Sequence, residues 1–417
     1  MSWLARRLGL PEDIPTALQI SLFLYLLHVF TQGKIALAES FAGLTIVFLG
    51  WALWKREIRP GFHILYYPLA LYGIVSTISS IASPRQLHIY FEGMIWVKML
   101  TFPIGLMFFR TYPRMRTLAL WLHIAMGTIS AGIGLVQYFI LNDRDLEHRI
   151  TGPVTHVMTF SGLLLPISLL AIILAAHLRK WWLWIPAGIV TLTLLLTFTR
   201  SIWLGWLSAM FVLLFFARPR MLAWAAPALV IFVTFMPLSL FSRMVSIFDT
   251  RQESNLDRIR MAEAGVEIIR DYPLLGVGPA NVKEIYPLYR RHDAPRFRIP
   301  HLHNTVLQIW AERGIVALVA YLLLMVLFIR ECAKAWNGPA KAFAQAGVAI
   351  TVGLAVAGLF EFNFGDTEVF YIMLDLYALI VVVMEGSEPV EQVVALENRA
   401  LTVAQPLATN AAGRACP

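Results

Sequence analysis

Residues 154–177 read VTHVMTFSGLLLPISLLAIILAAH and contain no Asp, Glu, Lys or Arg. A bilayer core is crossed by about 20 mostly apolar residues in a helix. The run is continuous rather than alternating, which fits a spanning helix and not a barrel strand. Eleven further runs follow the same pattern, at roughly 15–32, 35–54, 62–82, 91–109, 117–141, 181–198, 201–217, 221–241, 304–329, 340–361 and 368–385. Of the 417 residues, 58% are apolar and 14% charged, against about 25% charged in an ordinary soluble domain. In water such a chain would expose large apolar patches. That excludes a soluble enzyme, a disordered chain and a disulfide-rich module. The expected fold is an all-α polytopic membrane protein of about twelve transmembrane helices. Cys332, read as lying in a charged loop, and Cys416, in the tail, suggest neither a bridge nor a zinc cluster. The net charge of +8 is explained by membrane topology, and no nucleic-acid partner is expected.

Basic residues alternate between loops. One set holds Arg6 and Arg7; Lys55, Arg56 and Arg59; Arg110, Arg114 and Arg116; Arg179 and Lys180; Arg218 and Arg220; Arg330, Lys334 and Lys341. The opposite short loops hold only Lys34, Arg85, Arg144, Arg149 and Arg200. Cytoplasmic loops carry the Lys/Arg excess, so both termini are expected in the cytoplasm. Arg6, Arg7 and Ala36-Leu37-Ala38 imitate a signal peptide, but cleavage would fall inside the second run, so an uncleaved first span is expected. The chain divides into nine spans over 1–241, an outward loop over 242–303, three spans over 304–386 and a polar, mobile cytoplasmic tail over 387–417. No internal repeat is visible, which weakens a transporter built from inverted repeats.

The outward loop is far longer than the others, and loops beyond about 15 residues are usually functional or disordered. This one has helical pattern. Ser254 reads as an N-cap with Asp257 as its capping-box partner, and the helix is expected to run to about Arg270 and stop before Pro273. Ile259, Ala262, Gly265, Val266 and Ile269 form an apolar stripe. Arg260 falls beside Glu263 and Glu267 as a solvated ion pair. Arg258 falls within the apolar stripe with no carboxylate at helical spacing. A cation there needs a partner or a ligand from elsewhere, or lays its stem on apolar surface with its head in water. Gly276-Val277-Gly278-Pro279 makes a tight turn of a kind that presents backbone N–H groups to an anion.

Arg290, Arg291, Arg296 and Arg298 cluster ahead of His301-Leu302-His303-Asn304. A basic run is usually a solvated or lipid-facing surface. On the outward side, just before a span, it suggests an anionic headgroup or diphosphate. Asn304 is a plausible N-cap. His303, Leu307, Trp310, Ala311 and Gly314 are expected on one helix face, with Gly314 admitting a neighbouring helix. His301 and His303 are a poor helical metal pair without an obvious third ligand, so no metal is expected. Arg200, between the seventh and eighth spans, is either an arginine snorkelling to headgroups or a functional cation. Arg144, His148 and Arg149 crowd the 141–153 loop, and His156 tops the sixth span. Glu361, Asp366 and Glu368 are the main outward acids in the last such loop, fit to balance arginines or supply a base.

In order and spacing these stretches resemble the O-antigen ligase and polymerase superfamily. Thr197-Phe198-Thr199-Arg200-Ser201-Ile202-Trp203 resembles its Ser/Thr-Arg-Gly/Ser motif, and Arg258 its loop-helix arginine. Pro273 to Gly278 resembles its Pro-Leu-Leu-Gly-Val-Gly turn, and His301-Leu302-His303-Asn304 with Gly314 its His-Asn…Gly motif. Arg149-Ile150-Thr151-Gly152-Pro153 resembles a weaker segment. Ser201 stands where glycine is common, and a tryptophan often seen in the loop helix is absent.

The resemblance implies a GT-C-like enzyme of the bacterial inner membrane working at its periplasmic face. The donor would be O-polysaccharide on undecaprenyl diphosphate. One large loop and this length favour the ligase branch, with lipid A–core as acceptor, over the polymerase. A lipid-linked sugar transporter is the reading from another class; it predicts a charged central cavity, whereas charges here gather at the outer rim, Lys98 being one of few mid-span. No cofactor and no metal are implied. Arg200 and Arg258 are expected to clamp the diphosphate and His303 to act as base. Asn304, His301, Arg149, Arg291, Arg296, Arg298, Gly276 and Gly278 are expected to bind substrate.

Overall fold

The computed structural model describes residues 14–83, 88–141, 149–223 and 252–395, with Thr234, Val245, Ser246 and Asp249 between them. The expected ninth span, 221–241, lies almost wholly outside the described residues, as do Arg6, Arg7, Arg144, His148 and Cys416. Every other expected span is matched by a helix: α1 Thr16–Thr31, α2 Ile35–Trp54, α3 Tyr66–Ala82, α4 His88–Thr111, α5 Pro113–Phe139, α6 Val157–Leu178, α7 Trp184–Leu196 and α8 Arg200–Ala217. The loop contributes α9 Glu253–Asp271 and α10 Val282–Tyr289. Then come α11 Thr305–Lys334, α12 Lys341–Gly358, α13 Thr367–Glu385 and a short α14 Val390–Val394. The chain is an all-helical polytopic membrane protein.

Burial separates centre from rim. α6 and α13, both apolar nearly all round, are enclosed on every side, while α2 turns most of its surface outward, as the helices of a bundle in lipid do. α1 packs on α2, α13 on α4 and α6, α11 on α3, and α12 on α6 and α8. One buried carboxylate ties α13 to α1. Asp375 accepts from Tyr25 Oη at 2.8 Å and from the Gln32 amide, and lies 3.3 Å from His28 Nε2. Paired and hydrogen-bonded, a charge at this depth is tolerable. The hydropathy reading passed over it.

Four expectations are corrected here. α11 is two helices, because Gly314 sits at φ 79°, ψ 177° and breaks it. Cys332 is buried in its last turn rather than in a loop. The tail is not wholly mobile: α14 buries Val390, Val393 and Val394, and Thr117 Oγ1 and Trp121 Nε1 donate to the Val393 and Val394 carbonyls. Valines at i, i+3 and i+4 make a one-turn stripe too short to register as a span; residues 396–417 are outside the described part. The buried face of α9 is Met261, Ala264, Gly265, Ile268 and Ile269, with Ile259 and Val266 outward. That face packs on Val282, Tyr286, Leu302 and Ala311, so the α10 and α11 contacts decide which side is buried.

Candidate functional site

The site lies where the loop meets the ends of α7, α8, α11, α12 and α13. Its scaffold follows from the break at Gly314. The break frees the carbonyls of Ala311 and Glu312 and the N–H of Ile315, all of which need partners. The 273–278 turn supplies them. Val277 N–H donates to Ala311 O and Gly278 N–H to Glu312 O, both at 2.9 Å, and Ile315 N–H donates to Pro273 O at 3.0 Å. Ser79 Oγ adds bonds to Leu275 O and Glu312 O. Two glycines admit this contact. A Cβ on Gly314 would stand 1.8 Å from Leu274 O, and one on Gly276 2.3 Å from the Glu312 carbonyl carbon. The turn is therefore a dock for the broken helix and not the expected anion cradle: the Gly278 N–H is spent on Glu312, and the Gly276 N–H on Tyr272 O at 3.2 Å. Gly314 likewise admits this turn, not a second membrane helix.

The dock fixes the start of α11. Asn304 caps it, accepting from Leu307 N–H at 2.9 Å, while its amide donates to Leu359 O at 2.9 Å. Thr305 Oγ1 donates to Glu361 O. These bonds stitch the 359–363 turn to the His-Leu-His-Asn segment and commit both ends of Asn304 to protein. His303 stands outside the helix with φ 50°. That is an uncommon backbone state whose strain is characteristic of functional positions.

Its side chain meets Glu361, with Nδ1 3.0 and 2.9 Å from the two carboxylate oxygens. A carboxylate only accepts, so Nδ1–H donates and the lone pair lies on Nε2. Among the described residues nothing bonds Nε2. His301 Nε2 lies 3.5 Å from Glu361 Oε1, and its ring is 4.3 Å from that of His303. Burial pushes the His301 imidazole down to about 4, so it is neutral at pH 7. Burial alone would raise the Glu361 carboxyl. The His303 hydrogen bond, followed by electrostatic attraction from the His303 and His301 rings and from Arg258, outweighs it and holds Glu361 at about 2. Sequence reasoning counted Glu361 among the outward acids without assigning it; only the fold brings it 58 residues back to His303.

The three arginines differ in what they hold. Arg200 heads α8 after a tight turn in which Phe198 has φ 53°. Its Nη1 donates to Ser246 O and Oγ and to Gln252 Oε1, and its Nη2 to Ser254 Oγ and Asn255 Oδ1, at 2.6–3.1 Å. Its fork is thus occupied by neutral acceptors of the loop. Ser254 is an Arg200 acceptor inside α9 rather than the N-cap, which is Gln252.

Arg258 makes no hydrogen bond or ion pair among the described residues. It is half-buried, and desolvation lowers its pKa while Glu361 and Asp257 raise it. Arg149 is similar: desolvation and then Arg258 lower its pKa, Glu361 raises it, and Nη1 is buried without a partner. The charges of Arg149 and Arg258 also act on Arg200. Two guanidinium groups, unspent among the described residues, thus stand beside a carboxylate already engaged by histidine. Arg291 and Arg296, both exposed, are instead tied to Glu263 at 3.0 Å and to the buried Asp257 at 3.1 Å. Arg298 is exposed.

A cavity of about 520 Å³ adjoins the histidines. His301, Gln308, Glu312, Arg313, Lys98, Glu39, Asp366 and Thr367 supply its polar lining, and Tyr72, Phe362, Phe364 and Phe370 its aromatic lining. Burial, with Glu361 and Glu368, pushes Asp366 up to about 7. His301, His303 and Glu361 place three ligand atoms within 4.8 Å of one another, a donor set that can take a divalent ion. The neighbouring Arg258 and Arg149 charges oppose a dication there, and metal binding at Nδ1 would take His303 from its carboxylate.

Residues 185–322 match the family model described as O-antigen ligase. That stretch contains all four motifs on which the resemblance rests, from Thr197 to Gly314, and supports the placement of this chain with the O-antigen ligase superfamily. No curated protein matches the chain.

Proposed function

We propose that the chain is an O-antigen ligase working at the periplasmic face of a bacterial inner membrane. It transfers O-polysaccharide from undecaprenyl diphosphate to a sugar hydroxyl of lipid A–core. The observation that carries this reading is the pairing of a carboxylate-held histidine with two arginines whose donors are unspent among the described residues. His303 Nε2 removes the proton from the acceptor hydroxyl. The oxygen attacks the anomeric carbon, its bond to the diphosphate breaks with inversion, and undecaprenyl diphosphate leaves as an anion. The proton rests on His303 as imidazolium against Glu361 until it returns to solvent. Arg258 and Arg149 stabilise the charge that grows on the diphosphate. Arg200 holds α9, and so Arg258, in place while adding positive field, a positioning part in place of the clamp expected from sequence. The cavity beside His301 receives the acceptor sugar. No metal takes part.

The test is expression in ligase-null cells that make a compatible lipid-linked O-polysaccharide. A ladder on lipid A–core supports the proposal. A ladder obtained only in a polymerase-null host assigns the chain to the polymerase branch instead.

A further inference from the structure

Opposite the loop, the ends of α6 and α8, the start of α12 and the tail helix α14 enclose a cavity of about 220 Å³. That is the space of about seven waters at roughly 30 Å³ each, room for a phosphodiester. Ala176, His177, Arg179, Arg218, Lys341 and Glu391 line it, with Pro339, Ala342 and Val390. Membrane topology accounts for basic residues on this face. It does not account for three of them converging on one hollow from three separate segments.

A neighbouring cavity on the same face supplies the contrast. Its charges are neutralised within the protein: Lys334 pairs with Glu331 at 2.7 Å, and Glu385 with Arg110 at 2.6 Å. Around the smaller cavity Arg179, Arg218 and Lys341 have no ion pair among the described residues, and Glu391 is the sole acid in its lining. The positive end of α12 adds to the field: no side chain caps it. Depth is marked by Trp181 and Trp184, 76% and 50% exposed just after Arg179. Indole rings settle at headgroup level.

We propose that this cavity binds the phosphodiester of an anionic phospholipid, joining the tail helix to α6, α8 and α12. Basic hollows between membrane helices are suited to such headgroups, and the site is separate from the transfer chemistry.

The test is the thermal midpoint of the full chain in phosphatidylcholine nanodiscs, with and without phosphatidylglycerol. Phosphatidylglycerol should raise the midpoint by about 2–4 °C. Arg179→Gln, Arg218→Gln and Lys341→Gln together should abolish the rise; all three side chains are exposed, so the fold tolerates the change. A control carrying Arg56→Gln, Arg59→Gln and Lys180→Gln should keep it. No rise, or equal rises in wild type and both triple variants, overturns the proposal, as does loss of the rise in the control. Millimolar inorganic phosphate added to phosphatidylcholine discs should leave the midpoint unmoved. If it reproduces the rise, the site belongs to a soluble anion and the lipid assignment falls.

Discussion

Glu361→Gln removes one charge and little else. The amide oxygen can still accept from His303 Nδ1–H, so the ring stays where the 2.9 Å contact holds it. The depression of Glu361 from 4.5 to about 2 corresponds to roughly 3 kcal/mol between the carboxylate and its surroundings, at 1.36 kcal/mol per unit. His303 becomes cationic as the acceptor is deprotonated, so much of that interaction is realised only in the transition state. At pH 7 Glu361 is fully ionised, and its contribution disappears only as pH falls through about 2. The variant should therefore lose about 100-fold in kcat with little change in KM. The assay is turnover of lipid-linked donor onto lipid A–core by purified protein at equal folded concentration. Glu361→Asp should recover part of the loss. Turnover of Glu361→Gln within threefold of wild type would refute the carboxylate's part in the chemistry.

Other outcomes follow from the same geometry. Arg258→Lys keeps the charge but loses the planar fork, and should cut turnover about 10- to 100-fold without changing the thermal midpoint. Gly314→Ala forces a Cβ against Leu274 O in a left-handed backbone, and should cost on the order of 3–5 kcal/mol, read as loss of the folded fraction in detergent. Asp366→Asn removes an acid held up to about 7. The wild-type carboxyl's contribution is fully present below its ordinary value of 3.8 and is lost as pH rises through 7, so the variant should gain in thermal midpoint over wild type more at pH 8 than at pH 6.

Membrane architecture was legible from sequence because hydropathy over about 20 residues is a local property. The span positions match the helices wherever the chain is described. Elements that depend on tertiary partners were not legible. Nothing local distinguishes Gly314 as a helix break from Gly314 as a packing glycine; the difference lies in Leu274, forty residues earlier. The α9 stripe was drawn on intrinsic apolarity, but Met261, Ala264 and Ile268 face the core because α10 and Leu302 lie on that side. The lack of a carboxylate at i±3 and i±4 of Arg258 is local, and among the described residues the fold supplies no other ion pair to it. Arg200 looked equivalent from spacing, yet its acceptors, Ser246 to Asn255, come from a segment about fifty residues away. Glu361 carried a weak local signal, an acid close to the end of a span.

The central claim is that His303 is the proton acceptor of a sugar transfer onto a lipid-borne hydroxyl. The most direct measurement is the initial rate of transfer by purified His303→Ala, at saturating donor and acceptor, against wild type of equal thermal midpoint. The account predicts a loss of at least about 100-fold, with donor binding retained through Arg149 and Arg258. Full activity of His303→Ala would contradict it.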